Sequence, residues 1–319
     1  MTDTVNVFQA FGLPGTETLE VPAGPGGEGV PKRDPDYRFR EEPTGLLLGW
    51  HAHGNGEPLY IHGPPAAGKS SLVRQVAARL GIPCMVVTGH QRLEFRDLVG
   101  QMTMVDGTTL WMDGPLTTAR RYGYWLVIDE ADRMDPGNFV ALNGEMEPVH
   151  LQSPLCIVEN GGETVESHPN YRVVLTANSA GSGDHSGRFN TALAQDGSSM
   201  DRAWNLRIGY PEPELELEIL KAKSGLPETL LRQMLEVAGA VRELEENPDA
   251  DTQLELGVST RTLQRWAHCT WLYKGSAERR GRSPLIYGLE IALLNRASAE
   301  ARQAVLEIVQ RLTGVEEAA

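Results

Sequence analysis

Residues 58 to 71 read Pro-Leu-Tyr-Ile-His-Gly-Pro-Pro-Ala-Ala-Gly-Lys-Ser-Ser, and no other stretch constrains the chain as strongly. Leu59, Tyr60 and Ile61 form an apolar run suited to a short buried strand. Ser71 to Leu80 then carries apolar residues at helical spacing up to Gly81, a natural stop. Between them lie Gly63, Pro64, Pro65, Ala66, Ala67, Gly68, Lys69, Ser70 and Ser71, with the G-x-x-x-x-G-K-[ST] spacing of a phosphate-binding loop. Its glycines let backbone N–H groups approach the α- and β-phosphates, Lys69 reaches the β/γ oxygens, and Ser70 offers a hydroxyl to Mg²⁺. The loop predicts a bound nucleoside triphosphate.

With 319 residues, 40% of them apolar, the chain has room for one large or two modest domains. No segment has the apolar length of a transmembrane helix and the polar N-terminus is unlike a signal peptide, so the expected location is cytoplasmic. Cys84, Cys156 and Cys269 occur singly, without zinc-site or disulfide spacing, and are expected to be reduced core residues. A formal charge of −14 argues against a protein that coats nucleic acid. The basic stretch from Glu278 to Arg282 reads as a solvated turn between helices.

Residues 1–33, rich in Gly and Pro, read as an arm or linker, with folded structure beginning near Asp34. From 34 to 210, β-rich runs alternate with helical patterns. Leu59 to His62, Met85 to Thr88, Trp125 to Asp129 and Arg172 to Thr176 are the expected strands, which predicts an α/β domain with a parallel sheet covered on both faces. From 211 to 319 the patterns are helical. Leu230, Met234, Ala238 and Val241 share one face. Leu263, Trp266, Ala267, Thr270 and Trp271 share another, behind Ser259 as N-cap. The acidic stretch Glu243 to Glu255, with Pro248 inside it, reads as a loop between two of these helices.

Trp125-Leu126-Val127-Ile128-Asp129-Glu130 suits a buried strand delivering two acids to the carboxyl edge of the sheet. There Asp129 would hold Mg²⁺ through water, and Glu130 would orient and polarise an attacking water. Val173 to Asn178 ends in an amide that either reaches the γ-phosphate or simply forms a turn. Arg202 and Arg261 are either ordinary surface arginines or members of the same site. His51, His53 and His62 lack a carboxylate at useful spacing, so no metal cluster is expected of them.

The order of phosphate loop, Ile128-Asp129-Glu130, Thr176-Ala177-Asn178, Met200-Asp201-Arg202 and Ser259-Thr260-Arg261 resembles an AAA+ ATPase of the MoxR group. Within that group the chain is most similar to the small ATPase subunit of aerobic cobaltochelatase. The similarity lies in Val30 to Phe39, Asp97 to Gly100, His168-Pro169, and the run from Thr176 through Gly183-Asp184 and Gln195 to Arg202. The resemblance implies a P-loop core followed by an α-helical lid, with ATP and Mg²⁺ bound between the subunits of a ring, usually a hexamer. It also implies that Asn178 is sensor 1, Arg202 an arginine finger given to a neighbour, and Arg261 a sensor 2 residue of the lid. Two inserted hairpins are further implied. Gln101 to Gly114, turning at Asp106-Gly107, and Leu155 to Val165, turning at Asn160-Gly161-Gly162, fit them.

The expected activity is ATP hydrolysis that drives remodelling of a partner protein, which the resemblance gives a von Willebrand factor A-type domain. Cobalt insertion into a corrinoid, and an ATP-gated scaffold with negligible turnover, stay open beside it. A nucleic-acid motor is disfavoured by the acidic balance. Asp135 to Glu145 reads as a helix in which Gly144 costs about 1 kcal/mol relative to alanine.

Overall fold

The computed structural model describes residues 3–181, 183, 192–246 and 256–316. The chain divides into two compact units, one of residues 1–35, 39–64 and 68–209, the other of 36–38, 65–67 and 210–319. The first is built on five parallel strands: β1 (Leu59–His62), β2 (Cys84–Thr88), β3 (Trp125–Asp129), β4 (Arg172–Ala177) and β5 (Trp204–Arg207), in the order β5-β1-β4-β3-β2. Tyr60, Ile61, Trp125, Leu126 and Ile128 are wholly buried. Such runs, buried on both faces, are what a sheet layered between helices requires. The register sets Thr88 beside Asp129 and Ala177 beside His62, so β1, β3 and β4 deliver their carboxyl ends along one edge.

Strand β5 is absent from the expected set. Only Leu206 of its four residues is buried, because it lies at the sheet edge beside β1, and its sequence therefore shows no apolar run. The expected helix after Glu130 is also shorter. Pro136–Val140 is α-helical and Ala141–Met146, including Gly144, tightens to 3₁₀ geometry.

The amino-terminal residues differ most from expectation. The first strand of the described residues, Thr4–Asn6, lies well before Asp34. Thr4–Asn6 pairs antiparallel with Glu20–Pro22, and Val7–Phe11 forms a short helix capped by the Asn6 side chain. Val7, Phe11, Leu13 and Val21 are buried. The Gly/Pro segment then lies along the helix Lys69–Leu80. Gly24 N donates to Leu80 O, Gly26 N to Gly81 O, and Arg33 Nε to Ala78 O at 3.1 Å. A Cβ on Gly24 would sit 2.5 Å from Gly81 O, so this glycine serves close backbone approach rather than flexibility. His51 Nε2 lies 3.0 Å from Pro22 O, and burial pulls its pKa down to about 4.

Both expected hairpins are present, Gly100–Val105 with Thr108–Asp113 and Leu155–Ile157 with Glu163–Val165. Asp106 (φ 50°) and Gly107 (φ 78°) make the two-residue turn of the first. Consecutive arginines of the helix Pro115–Tyr122 tie them together. Arg121 Nε donates to Asp113 Oδ2 at 2.9 Å and its Nη2 to Glu163 Oε1 at 3.0 Å. Arg120, fully buried, donates to Val165 O, Ser153 O and, at 2.5 Å, Glu145 Oε1, while Tyr171 Oη donates to Glu145 Oε2. Removing one member of a buried pair strands the other, at a cost of about 3–5 kcal/mol. Arg120→Met is therefore expected to lower the thermal midpoint by about 10 °C, read by calorimetry.

The second unit is helical: Pro213–Lys223, Glu228–Glu246, Thr260–Leu272, Lys274–Arg279, Pro284–Ala292 and Ala299–Thr313. Leu217, Met234, Ala238, Val241, Leu263, Trp266, Leu289 and Val305 share its core. Buried Glu216 accepts both Arg242 Nη atoms, at 2.7 and 2.9 Å, and Thr260 Oγ1 at 2.6 Å. Ser259 caps its helix as expected, but Trp271 lies off the buried face and is 52% exposed. Glu243 to Glu246 continue a helix rather than a loop, and 247–255 lie outside the described residues. Glu278 to Gly281 are exposed and turn between two helices as expected, while Arg282 at the end of the stretch is half-buried, its Nη2 binding both oxygens of Glu290. Cys269 is buried, but Cys156 is exposed on its hairpin, contrary to a core placement. Among the described residues no helix is long and apolar enough to cross a membrane.

Candidate active site

Strand β1 hands the chain to the phosphate loop at Gly63, whose φ is +146° and whose Cβ, were there one, would lie 1.9 Å from Ile208 O. Only glycine fits there. Ala66 (φ +56°) and Gly68 (φ +96°) are left-handed too, and alternating hand along a loop turns successive N–H groups toward one concave side. The space beside Gly68 is open, with nothing within 4 Å of where a Cβ would stand. Pro64, Pro65 and Ala66 are half-buried, Ala67 is buried, and Ser71 is exposed on the first turn of the helix that follows. That helix begins at Lys69, so its unsatisfied N–H groups and positive dipole end adjoin the loop.

Lys69 is 7% exposed. Its Nζ donates to Gly63 O at 2.7 Å, Pro64 O at 2.9 Å and Asn178 Oδ1 at 3.0 Å. Burial pulls its pKa down to about 8, opposed by the charges of Asp132, Asp129 and Glu130, which leaves the ammonium protonated at neutral pH. Ser70 Oγ donates to Asp129 Oδ1 at 2.6 Å, and Thr176 Oγ1 of β4 donates to the same oxygen. The cluster offers only oxygen donors, which suits a hard divalent cation such as Mg²⁺.

Glu130 follows Asp129 in a left-handed conformation (φ 59°), with its N–H donating to Thr176 Oγ1 at 3.3 Å. Its carboxylate pairs with Arg133, Nη1 to Oε2 2.7 Å, both side chains being partly exposed. Five expected residues thus converge across β1, β4 and β3: Lys69, Ser70, Asp129, Glu130 and Asn178. Arg202 is engaged elsewhere, its Nε donating to Glu147 Oε1 at 3.0 Å and its Nη1 to Ser198 O. Arg261 is an exposed residue of the helical unit, second in the helix Thr260–Leu272.

Sequence reasoning missed Asp132 and Ser179. Asp132 is wholly buried three residues after Asp129, and Asn178 N and Ser179 N both donate to its Oδ2, at 2.9 and 3.0 Å. The available signal was the acid spacing in Asp129-Glu130-Ala131-Asp132, since a carboxylate so near a strand's carboxyl end needs a partner.

A β5-β1-β4-β3-β2 sheet in which the amide after β4 accepts from the lysine after β1, and a hydroxyl of β4 donates to the acid ending β3, is the plan of an AAA-type phosphate-loop ATPase. Residues 58–193 match the AAA domain of the dynein-related subfamily, and 216–312 match the CbbQ/NirQ/NorQ C-terminal family. Protein CbbQ of Hydrogenophilus thermoluteolus is 31% identical over 81% of this chain and 90% of its own length. The aerobic cobaltochelatase subunit CobS of a Sinorhizobium species is 29% identical over 98% of this chain and 91% of its own. Protein NorQ of Paracoccus denitrificans is 29% identical over 82% and 89%. The chain belongs to the MoxR-like AAA+ ATPases, in the group that includes CbbQ, NorQ and CobS, and it binds and hydrolyses ATP. Such proteins are typically oligomeric and work with partner proteins.

Proposed function

We propose that this chain forms a hexameric ring, placed in the cytoplasm, in which hydrolysis of ATP held between subunits remodels a partner carrying a von Willebrand factor A-type domain. The observation that carries the reading is the convergence of Lys69, Ser70, Asp129, Glu130 and Asn178 at one sheet edge, each on a rigid strand end or helix start. Residues 34–210 then serve as the nucleotide-binding domain and 211–319 as the lid. Backbone N–H groups of 63–71 hold the phosphates and Lys69 meets the β/γ oxygens. Ser70 and Asp129 hold Mg²⁺, which when bound draws charge from the same oxygens.

Glu130 leaves its pairing with Arg133 to orient and polarise the attacking water, and Asn178 fixes the γ-phosphate end. Arg202, on a half-exposed ion pair, is available to a neighbouring subunit's nucleotide, where an added cation neutralises transition-state charge. Arg261 reports from the lid. The chain does not act on nucleic acid in this reading.

The test is recovery of partners from native lysate with Glu130→Gln held in ATP, compared with Lys69→Ala, by mass spectrometry. A von Willebrand-type partner retained only by Glu130→Gln supports the reading. The extent of the match to CobS, 98% of this chain, favours a second reading, an ATPase subunit for cobalt insertion. Recovery of a large chelatase subunit would select it. Recovery of this chain alone, with negligible turnover, would point to an ATP-gated scaffold.

A further inference from the structure

We propose that Asp132 is a positioning residue for hydrolysis, holding Asn178 against Lys69 from a buried carboxylate; this rests on the role given to Asn178 above. One oxygen carries the work. Asp132 Oδ2 accepts Asn178 N at 2.9 Å, Ser179 N at 3.0 Å and Ser179 Oγ at 3.1 Å. Two successive backbone N–H groups bound to a single acceptor fix the direction in which the chain leaves β4, and with it the Cα–Cβ bond of Asn178. The Asn178 amide then reaches Lys69 Nζ at 3.0 Å. Tyr60 Oη, from β1, donates to Ser179 O at 3.0 Å and holds the same turn from the opposite side.

The placement is costly if it serves packing alone. A wholly buried carboxylate loses its hydration, and an apolar side chain would fill a core position more cheaply. The N–H groups leaving a strand end at an open site could instead be met by water. Here they are fixed by protein, 46 and 47 residues upstream in sequence, on the turn that also carries Glu130. Asp132 thereby links the residue that polarises water to the residue that holds the phosphate end, and a displacement of about 1 Å in such a group costs on the order of 100-fold in rate.

The geometry predicts which substitution is tolerated. Asp132 Oδ1 meets no hydrogen-bond partner among the described residues. In Asp132→Asn the amide oxygen can take the place of Oδ2 and keep all three bonds, and its kcat is expected within about 3-fold of wild type. Asp132→Ala loses the acceptor, and its kcat should fall about 10- to 100-fold; because the Asp132 charge also holds up the Lys69 pKa, affinity for a fluorescent ATP analogue is compared at about pH 6, where the ammonium persists, and is expected within about 3-fold. The double variant Asp132→Ala/Asn178→Ala should be no slower than Asn178→Ala alone, since the two act as one unit.

Wild-type kcat in Asp132→Ala alongside a slow Asn178→Ala would overturn the proposal, as would losses that multiply in the double variant. If Asp132→Ala does not fold, Asp132→Asn decides, and turnover as slow as that of Asn178→Ala overturns the acceptor role. Should Asn178→Ala itself turn over normally, the role of Asn178 fails and the proposal falls with it.

Discussion

Lys69→Ala is expected to lower ATP affinity by at least about 100-fold and to leave no measurable hydrolysis. The Lys69 ammonium is buried, protonated at neutral pH and, among the described residues, bound to two loop carbonyls and the Asn178 amide. Alanine removes the charge that would meet the β/γ oxygens, and charge-assisted bonds of this kind are about twice as strong as neutral ones. It also strands Gly63 O, Pro64 O and Asn178 Oδ1, so the loop loses the clamp that closes it. Lys69→Arg is not expected to rescue, because a planar fork cannot enter a site shaped for a compact ammonium. Titration with a fluorescent ATP analogue and a phosphate-release assay read both losses, and an affinity within about 3-fold of wild type would remove Lys69 from the site.

Glu130→Gln should separate binding from chemistry. Glu130 makes its side-chain contact with Arg133, not with the phosphate loop, so ATP affinity is expected within about 3-fold of wild type. Glutamine keeps the shape but cannot polarise water, and loss of a positioned base costs about 10²- to 10⁴-fold in kcat. Single-turnover phosphate release with the nucleotide prebound measures that step directly. Wild-type turnover would mean that another group orients the water.

Much of the site was legible because its residues stand where the chain's local chemistry is loudest. The phosphate loop declares itself through glycines at fixed spacing, two of which, Gly63 and Gly68, take φ values that other residues rarely adopt. Trp125 to Ile128 declares a strand through unbroken apolarity, since both its faces are covered. The missed parts share a physical cause, which is dependence on a distant partner. Trp204–Arg207 becomes a strand only because β1 offers it an open edge. The glycines at 24 and 26 read as a linker because composition cannot show the helix end at Leu80 and Gly81 that they lie against. Asp132 looks like one more acid after a strand until the fold returns the Asn178–Ser179 backbone to it.

The paired arginines 120 and 121 have a mechanical consequence. Arg121 bolts the base of the first hairpin to the second through Asp113 and Glu163, and Arg120, one residue earlier, anchors the second hairpin's last strand to Glu145 and Tyr171 in the core. A swing of one hairpin away from the other has to break the bond between Arg121 and Glu163. Both ties run through the helix Pro115–Tyr122, and that helix packs on β3, so a displacement of either hairpin is passed first to the strand that ends in Asp129.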